Sequence, residues 1–252
     1  MAALRGGERV YGTMFVQTRV GNGDHRLREM GLNFVIVDNE HAPYSRSETA
    51  SWMRKLAGNG IVPILRVPIP ASHYVTMAHD AGAQGILAPY VERVEQVQEV
   101  VGASKYPPLK GEAVDRAVRS GEFPSEETRA HLAERNKDHF LVIGIESTAA
   151  MDRLPDLLSV PGVDAAFVGP NDLSIQLGVP ADYQHPRYLE AVEHIHATCR
   201  EKNVPLVIHF FNYEMAQPWI EKGINFVLFG TDRRGIGDPM KKDFDFLRGL
   251  EG

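Results

Sequence analysis

Eight short runs of apolar, largely β-branched residues recur along the chain, and their spacing narrows the fold more than any other feature. The runs are Gly12–Val16, Phe34–Val37, Val62–Leu65, Gly85–Ala88, Phe140–Ile145, Ala165–Val168, Pro205–His209 and Phe226–Phe229. Most are continuous rather than alternating, as strands covered on both faces are, so they read as parallel strands. Segments with helical spacing lie between them: Ser47–Ala57, His73–Asp80, Val94–Val101, Met151–Leu158, Pro186–Lys202 and Glu214–Lys222. Gly31, Gly82 and Gly223 each stand where a helix gives way to a strand, the place of a left-handed helix stop. Eight β-α units in 252 residues predict an α/β protein, a (β/α)₈ TIM barrel forming a single domain over residues 1–252. A doubly wound nucleotide-binding sheet would carry a glycine-rich phosphate turn. No GxGxxG or Walker sequence is present, and Asn22-Gly23-Asp24 and Gly235-Ile236-Gly237 read as ordinary turns.

One interval breaks the rhythm. The polar, charged stretch at about 110–138, from Lys110 to Asp138, is punctuated by Gly111, Gly121 and Pro124. It is expected to leave the barrel face where the βα loops cluster, as a lid or an intersubunit arm, or to be a plain surface loop.

Composition bounds the rest. With 43% hydrophobic residues the chain can bury a full core, and no apolar stretch approaches the ~20 residues needed to cross a bilayer. Met1 to Val10 lacks the apolar core of a secretory signal, so a cytoplasmic location without membrane partners is expected. The single cysteine, Cys199, excludes an intrachain disulfide and any cysteine-cluster metal site, leaving carboxylates and imidazoles as metal ligands. Cys199 itself reads as a small buried hydrophobe. A net charge of -6 argues against nucleic acid as a partner.

In a parallel barrel, function gathers at the C-terminal ends of the strands. Just past the runs stand Asp38, Glu40 and His41; Arg66; Glu146; Gly169-Pro170-Asn171-Asp172; and His209. Glu146 and Asp172 are the candidate ligands of a magnesium or manganese ion, because two hard carboxylates leave most of an octahedral shell to water and substrate. Each has an ordinary alternative as an acid near the start of a helix. Arg66 is either paired with a neighbouring acid or offered to a substrate carboxylate or enolate oxygen. His41 is the candidate acid or base. His79, His131, His139, His185 and His194 read as surface or helix residues.

Five spaced segments carry a family resemblance: Phe34-Val35-Ile36-Val37-Asp38-Asn39-Glu40-His41, Ile64-Leu65-Arg66-Val67-Pro68, Asp80-Ala81-Gly82-Ala83-Gln84-Gly85-Ile86-Leu87-Ala88-Pro89, Ile145-Glu146-Ser147, and Val160-Pro161-Gly162-Val163-Asp164 with Val168-Gly169-Pro170-Asn171-Asp172-Leu173-Ser174. In this order they resemble the metal-dependent class II pyruvate aldolases of the HpcH/HpaI aldolase and citrate lyase family. The resemblance implies a barrel that assembles as a homo-oligomer, a hexamer or trimer of dimers, with the last helix exchanged between subunits. It implies a lyase that makes or breaks a carbon–carbon bond between a pyruvate-like 2-oxo acid enolate and an aldehyde.

Carried over onto matching positions, the resemblance implies that Glu146 and Asp172 hold a divalent metal (Mg2+ or Mn2+, or Co2+) and that Arg66 stabilises the enolate oxygen. It makes His41, oriented by Asp80, part of an acid/base relay, and Asp38 and Glu40 supporting groups around the metal and its waters. Gly169, Pro170, Asn171 and His209 are read with Arg66 as substrate-binding, and Phe15 as shaping the aldehyde pocket. Three positions depart from the pattern: Gly144 stands where a glutamine is usual, the seventh strand ends in His209-Phe210-Phe211, and Lys110-Gly111 replaces an arginine-glycine pair. Two other enzyme readings follow from these, a metal-dependent oxaloacetate decarboxylase and a specialised biosynthetic carbon–carbon lyase. A non-catalytic 2-oxo acid binding protein is the reading from another class.

Overall fold

In the computed structural model, eight parallel strands hydrogen-bond in sequence order and close into a barrel, β1 pairing with β8. The structure describes residues 1, 4, 6–17 and 29–234. The strands are β1 (Val10–Phe15), β2 (Phe34–Asp38), β3 (Val62–Arg66), β4 (Gly85–Ala88), β5 (Phe140–Ile145), β6 (Ala165–Val168), β7 (Leu206–Phe210) and β8 (Phe226–Thr231). Helices of the outer ring include α1 (Arg46–Gly58), α2 (Ser72–Asp80) and α3 (Val94–Lys105). Next come α4 (Gly111–Ser120), α5 (Glu126–Arg135), α6 (Thr148–Asp152), α7 (Leu154–Leu158) and α8 (Pro170–Gln176). The last described are α9 (Pro186–Glu201) and α10 (Tyr213–Glu221). Gly31, Gly82 and Gly223 adopt φ of 65°, 103° and 98°, the left-handed geometry expected where helix becomes strand. The final helix, whose exchange between subunits the family resemblance implies, lies outside the described residues, as do the turns at Asn22–Asp24 and Gly235–Gly237.

Two apolar layers follow from the period-2 alternation of each strand. Met14, Phe34, Ile36, Ile64, Leu87, Phe140, Val142, Phe167, Val207, Phe226 and Leu228 fill the barrel, while Phe15, Val35, Val37, Leu65, Ile86, Ile143 and Val168 pack outward against the helices. Glycine makes room for two of the interior phenylalanine rings. A Cβ at Gly12 would lie 2.4 Å from the Phe34 ring, and one at Gly85 would lie 2.3 Å from Phe140. Both glycines sit directly opposite the phenylalanine in the strand register.

The polar excursion is two helices, α4 and α5, and its position differs from expectation. It follows α3 and precedes β5, so it is an αβ connection and emerges at the N-terminal end of the barrel, away from the βα loops. Lys105 Nζ donates to the His139 carbonyl, and Asn136 Nδ2 donates to the Pro107 carbonyl, which holds both ends of the excursion to that base.

The same region brings two histidines together: His79, in helix α2 as read from the sequence, and His139, which precedes β5. His79 and His139 stack with ring centroids 3.8 Å apart and an interplanar angle of 9°. His79 Nδ1 lies 2.8 Å from the Ala83 carbonyl and Nε2 3.1 Å from Ser104 Oγ. Burial, with the His139 ring beside it, pulls His79 down to about 4. An unfolded imidazole takes its proton near 6.5, so between these values the unfolded chain binds more protons and stability falls as the pH falls from 6.5 toward 4. His79 alone contributes at most about 3 kcal/mol to that loss. Urea unfolding at pH 7 and pH 4.5 should show the loss, and His79→Gln should make it smaller. An identical loss in the variant would contradict the assignment.

Candidate active site

Side chains at the C-terminal strand ends continue the inward-facing series of the barrel. Two residues beyond Ile36, Ile64, Phe167 and Val207 come Asp38, Arg66, Gly169 and His209, and these line one open cavity of about 740 Å³ with His41, Pro170, Asn171 and Asp172. The alternation that places Met14 in this lining turns Phe15 the other way. Phe15 is buried against Trp52 of α1 with centroids 5.0 Å apart, so it belongs to the outer core rather than to an aldehyde pocket.

Arg66 resolves in favour of pairing, and the pair is built into the sheet. Asp38 and Arg66 are register partners of β2 and β3, with Nε to Oδ1 at 3.0 Å and Nη2 to Oδ2 at 2.6 Å. Asp38 Oδ1 also accepts the backbone N–H groups of Glu40 and His41, and Arg66 Nη1 lies 3.0 Å from Glu40 Oε2. Asp38 is thus engaged by the guanidinium and by its own loop while still lining the cavity. Its carboxyl stays below the usual range because the Arg66 contacts outweigh its burial. Two of the five guanidinium N–H groups donate to Asp38, and Nη1 faces Glu40 Oε2 as an ion pair without a hydrogen bond, which leaves N–H groups on both Nη atoms for a ligand.

Glu146 is buried at the end of β5. Its Oε2 accepts the Tyr90 N–H at 3.0 Å, and its Oε1 has no hydrogen-bond partner. Burial, opposed by Arg66 and reinforced by Glu40 and Asp172, pushes this carboxyl up to about 7. Its alternative role as a helix-start acid is taken by Ser147, whose side chain caps α6. Asp172 lies in the first turn of α8 behind Gly169, which occupies the N-cap position without a side-chain bond.

A buried orphan carboxylate oxygen, raised in pKa, beside a second carboxylate fits a hard divalent cation, which would restore the ionised form of Glu146. The described residues contain no group of three or more potential protein ligands here, so the remaining coordination would fall to water and substrate.

Two glycines shape this corner. A Cβ at Gly169 would sit 2.5 Å from Glu146 Oε1. Gly144, where the family resemblance leads one to expect glutamine, has the Tyr90 nitrogen 3.0 Å from its Cβ position, so its bareness lets the loop after β4 close on Glu146. Tyr90 completes that closure with φ 34°, a left-handed conformation that non-glycine residues seldom adopt.

His41 follows β2 at the mouth, its Nε2 3.6 Å from Glu40 Oε2. Asp80 does not orient it within one chain. Asp80 ends α2, which runs antiparallel to the strands, so it stands at the opposite end of the barrel from His41. His209 is 6% exposed, and its Nε2 lies 2.9 Å from the Gly230 carbonyl. A carbonyl only accepts, so Nε2 carries the proton and Nδ1 remains an acceptor. Burial, with Arg66 and Arg234 adding to it, pulls His209 down to about 4 and keeps it neutral.

Sequence reasoning missed Gln17, Phe211, Thr231, Arg233 and Arg234, which also line the cavity. The rule applied to the other strand ends finds the last three, because Gly230-Thr231-Asp232-Arg233-Arg234 follows the eighth run directly.

The HpcH/HpaI aldolase/citrate lyase family matches residues 14–239. The 2-keto-3-deoxy-L-rhamnonate aldolase of Salmonella gallinarum is 31% identical over 206 residues, 80% of this chain and 75% of that protein. The enzyme of the same name from Klebsiella pneumoniae subsp. pneumoniae is 32% identical over 206 residues, with the same 80% and 75% coverage. The crystal structure of an HpcH/HpaI aldolase from Desulfitobacterium hafniense superposes with a TM-score of 0.84 at 27% identity, over 98% of this chain and 95% of that one. The chain belongs to the HpcH/HpaI aldolase/citrate lyase family and is an enzyme, a carbon–carbon lyase.

Gly169→Ala tests the metal corner without touching a ligand. Its methyl group displaces the Glu146 carboxylate, so manganese affinity measured by electron paramagnetic resonance should fall about tenfold or more while circular dichroism is unchanged. Undiminished affinity would show that Glu146 is not a ligand.

Proposed function

We propose that this enzyme is a divalent-metal-dependent pyruvate-type aldolase that cleaves a 4-hydroxy-2-oxo acid to a 2-oxo acid and an aldehyde, or joins them in reverse. The buried, unpartnered Glu146 Oε1 beside Asp172 carries this reading. Glu146 and Asp172 would hold magnesium or manganese, or cobalt, and the bound ion supplies an electron sink for the ketone of the 2-oxo acid.

Arg66 would present its remaining Nη N–H groups to the oxygen on which charge develops, and Asp38 holds that guanidinium rigid through two hydrogen bonds. His41, beside Glu40 at the open rim, would take the proton of the aldol hydroxyl. The carbon–carbon bond then breaks, the aldehyde departs, and the electron pair stays on the enolate of the 2-oxo acid until carbon is protonated. Gly169, Pro170 and Asn171 form the wall of the cavity at the start of α8, and His209 offers Nδ1 as an acceptor. A homo-oligomer, a hexamer on the family pattern, acting in the cytoplasm is the setting we infer. The single cysteine supports that compartment, and no helix among the described residues is long and apolar enough to cross a membrane.

Pyruvate incubated in deuterated water with the protein and manganese should exchange its methyl protons, followed by NMR. No exchange with any divalent ion would contradict the proposal. Glu146→Ala and Asp172→Ala should each lower exchange by about a hundredfold or more. His41→Ala should impair cleavage of a 4-hydroxy-2-oxo acid more than it impairs exchange, and an equal loss of both would move the base elsewhere.

A further inference from the structure

The loop after β4 is fastened to the end of β5 and the start of α6, and one side chain in it, Glu92, has no part in the mechanism above. Four contacts make the connection. Tyr90 N–H donates to Glu146 Oε2 at 3.0 Å, and Val91 N–H donates to the Gly144 carbonyl at 3.2 Å. The Ser147 hydroxyl donates to Glu92 Oε1 at 2.6 Å, and Arg153 Nη1 donates to the Glu92 carbonyl at 3.0 Å. Ser147 is buried next to Glu146, and its Oγ also accepts the Ala150 N–H at the start of α6. A hydroxyl has one proton, so the oxygen of Ser147 serves α6 and its proton serves Glu92.

These contacts bear on Glu146 through Tyr90. With φ at 34°, Tyr90 holds a left-handed conformation that a residue with a side chain keeps only where its surroundings fix it. On the far side of the turn, the N–H groups of Glu92 and Arg93 both donate to Gln96 Oε1, which leads the chain into α3. On the near side, the Glu92 side chain ties the turn to the residue that follows Glu146. Were the turn to relax, the Tyr90 N–H would swing away and the Glu146 carboxylate could rotate about its last side-chain bond. Oε1, now beside the bare Gly169, would lose its fixed direction. The charges that act on Glu146 are those of Arg66, Glu40 and Asp172, so Glu92 works by where it holds the backbone rather than by its field.

We infer that Glu92 is a positioning residue of the metal corner: by holding the Ser147 hydroxyl it locks the loop after β4 in the turn whose Tyr90 N–H aims Glu146 Oε1 at the cation. This deepens the aldolase reading and rests on it, because the cation is the one assigned there to Glu146 and Asp172. The chemistry of the tether sets which substitutions it tolerates. An amide oxygen accepts the Ser147 proton as a carboxylate oxygen does, whereas a methyl group cannot.

The test compares Glu92→Ala, Glu92→Gln, Ser147→Ala and the double variant Glu92→Ala/Ser147→Ala. Manganese Kd, measured by electron paramagnetic resonance, should rise about tenfold or more in Glu92→Ala and stay within about threefold of the wild type in Glu92→Gln. The double variant should bind no more weakly than the weaker single variant, because both changes remove the same bond. In metal-free protein, hydrogen exchange of the Tyr90 and Val91 amides, followed by NMR, should quicken about tenfold or more in Glu92→Ala and return toward the wild-type rate in Glu92→Gln. Amides of β1 and β2 should be unaffected. If Glu92→Ala does not fold, Ser147→Ala breaks the tether from its other end and should show the same two losses.

A manganese Kd unmoved in Glu92→Ala would overturn the inference, as would an equal loss in the alanine and glutamine variants or unaltered exchange of the Tyr90 amide. Absent pyruvate proton exchange in the wild type would instead overturn the aldolase reading, while the amide exchange of the metal-free protein still decides whether Glu92 holds the loop.

Discussion

The buried ion pair between Asp38 and Arg66 organises the mouth of this barrel. Arg66 is only 6% exposed, and a guanidinium so placed is tolerated because a carboxylate from the adjacent strand meets it through two hydrogen bonds. The same carboxylate accepts the N–H groups of Glu40 and His41, so one pair fixes the strand end, the turn after it and the group at its rim. Removing Asp38 would leave the buried cation to Glu40 alone at contact distance and release the loop that carries His41. The pair is thus costly to break and valuable in orientation.

Around that pair the charges divide the cavity. Glu146 is raised by burial and by neighbouring acids, and Arg66 only partly offsets this. An uncharged Glu146 would be of little use to a metal, but a divalent cation between it and Asp172 reverses the balance. The closeness of the backbone is what makes such a corner available. Gly169 lets the start of α8 approach where a side chain would collide with the carboxylate itself, and at Gly144 a side chain would sit tight against the Tyr90 backbone.

Much of this was legible in the sequence because buried parallel strands announce themselves by composition. All eight runs became strands, and the rule that chemistry stands just past each run brought Asp38, Arg66, Gly169–Asp172 and His209 to one cavity. What escaped depended on direction and on neighbours. Phe15 is adjacent in sequence to a cavity residue, but strand alternation turns it outward. Asp80 is close to the next strand in sequence yet sits at the far end of its helix from the mouth. The excursion at 110–138 lies at the opposite end from the one its polarity suggests, because its position after a helix, rather than after a strand, decides its face. His79 and His139 are sixty residues apart, and only the fold could stack them.

In the proposed function a single cation is held between Glu146 and Asp172 and engages a 2-oxo acid. Crystals soaked with manganese and pyruvate, measured at the manganese absorption edge, test it most directly. One anomalous peak is expected within bonding distance of both carboxylates, with the pyruvate oxygens completing its shell and Arg66 facing the ketone oxygen. A peak bound elsewhere in the barrel, or pyruvate ordered at the mouth with no ion beside Glu146, would contradict it.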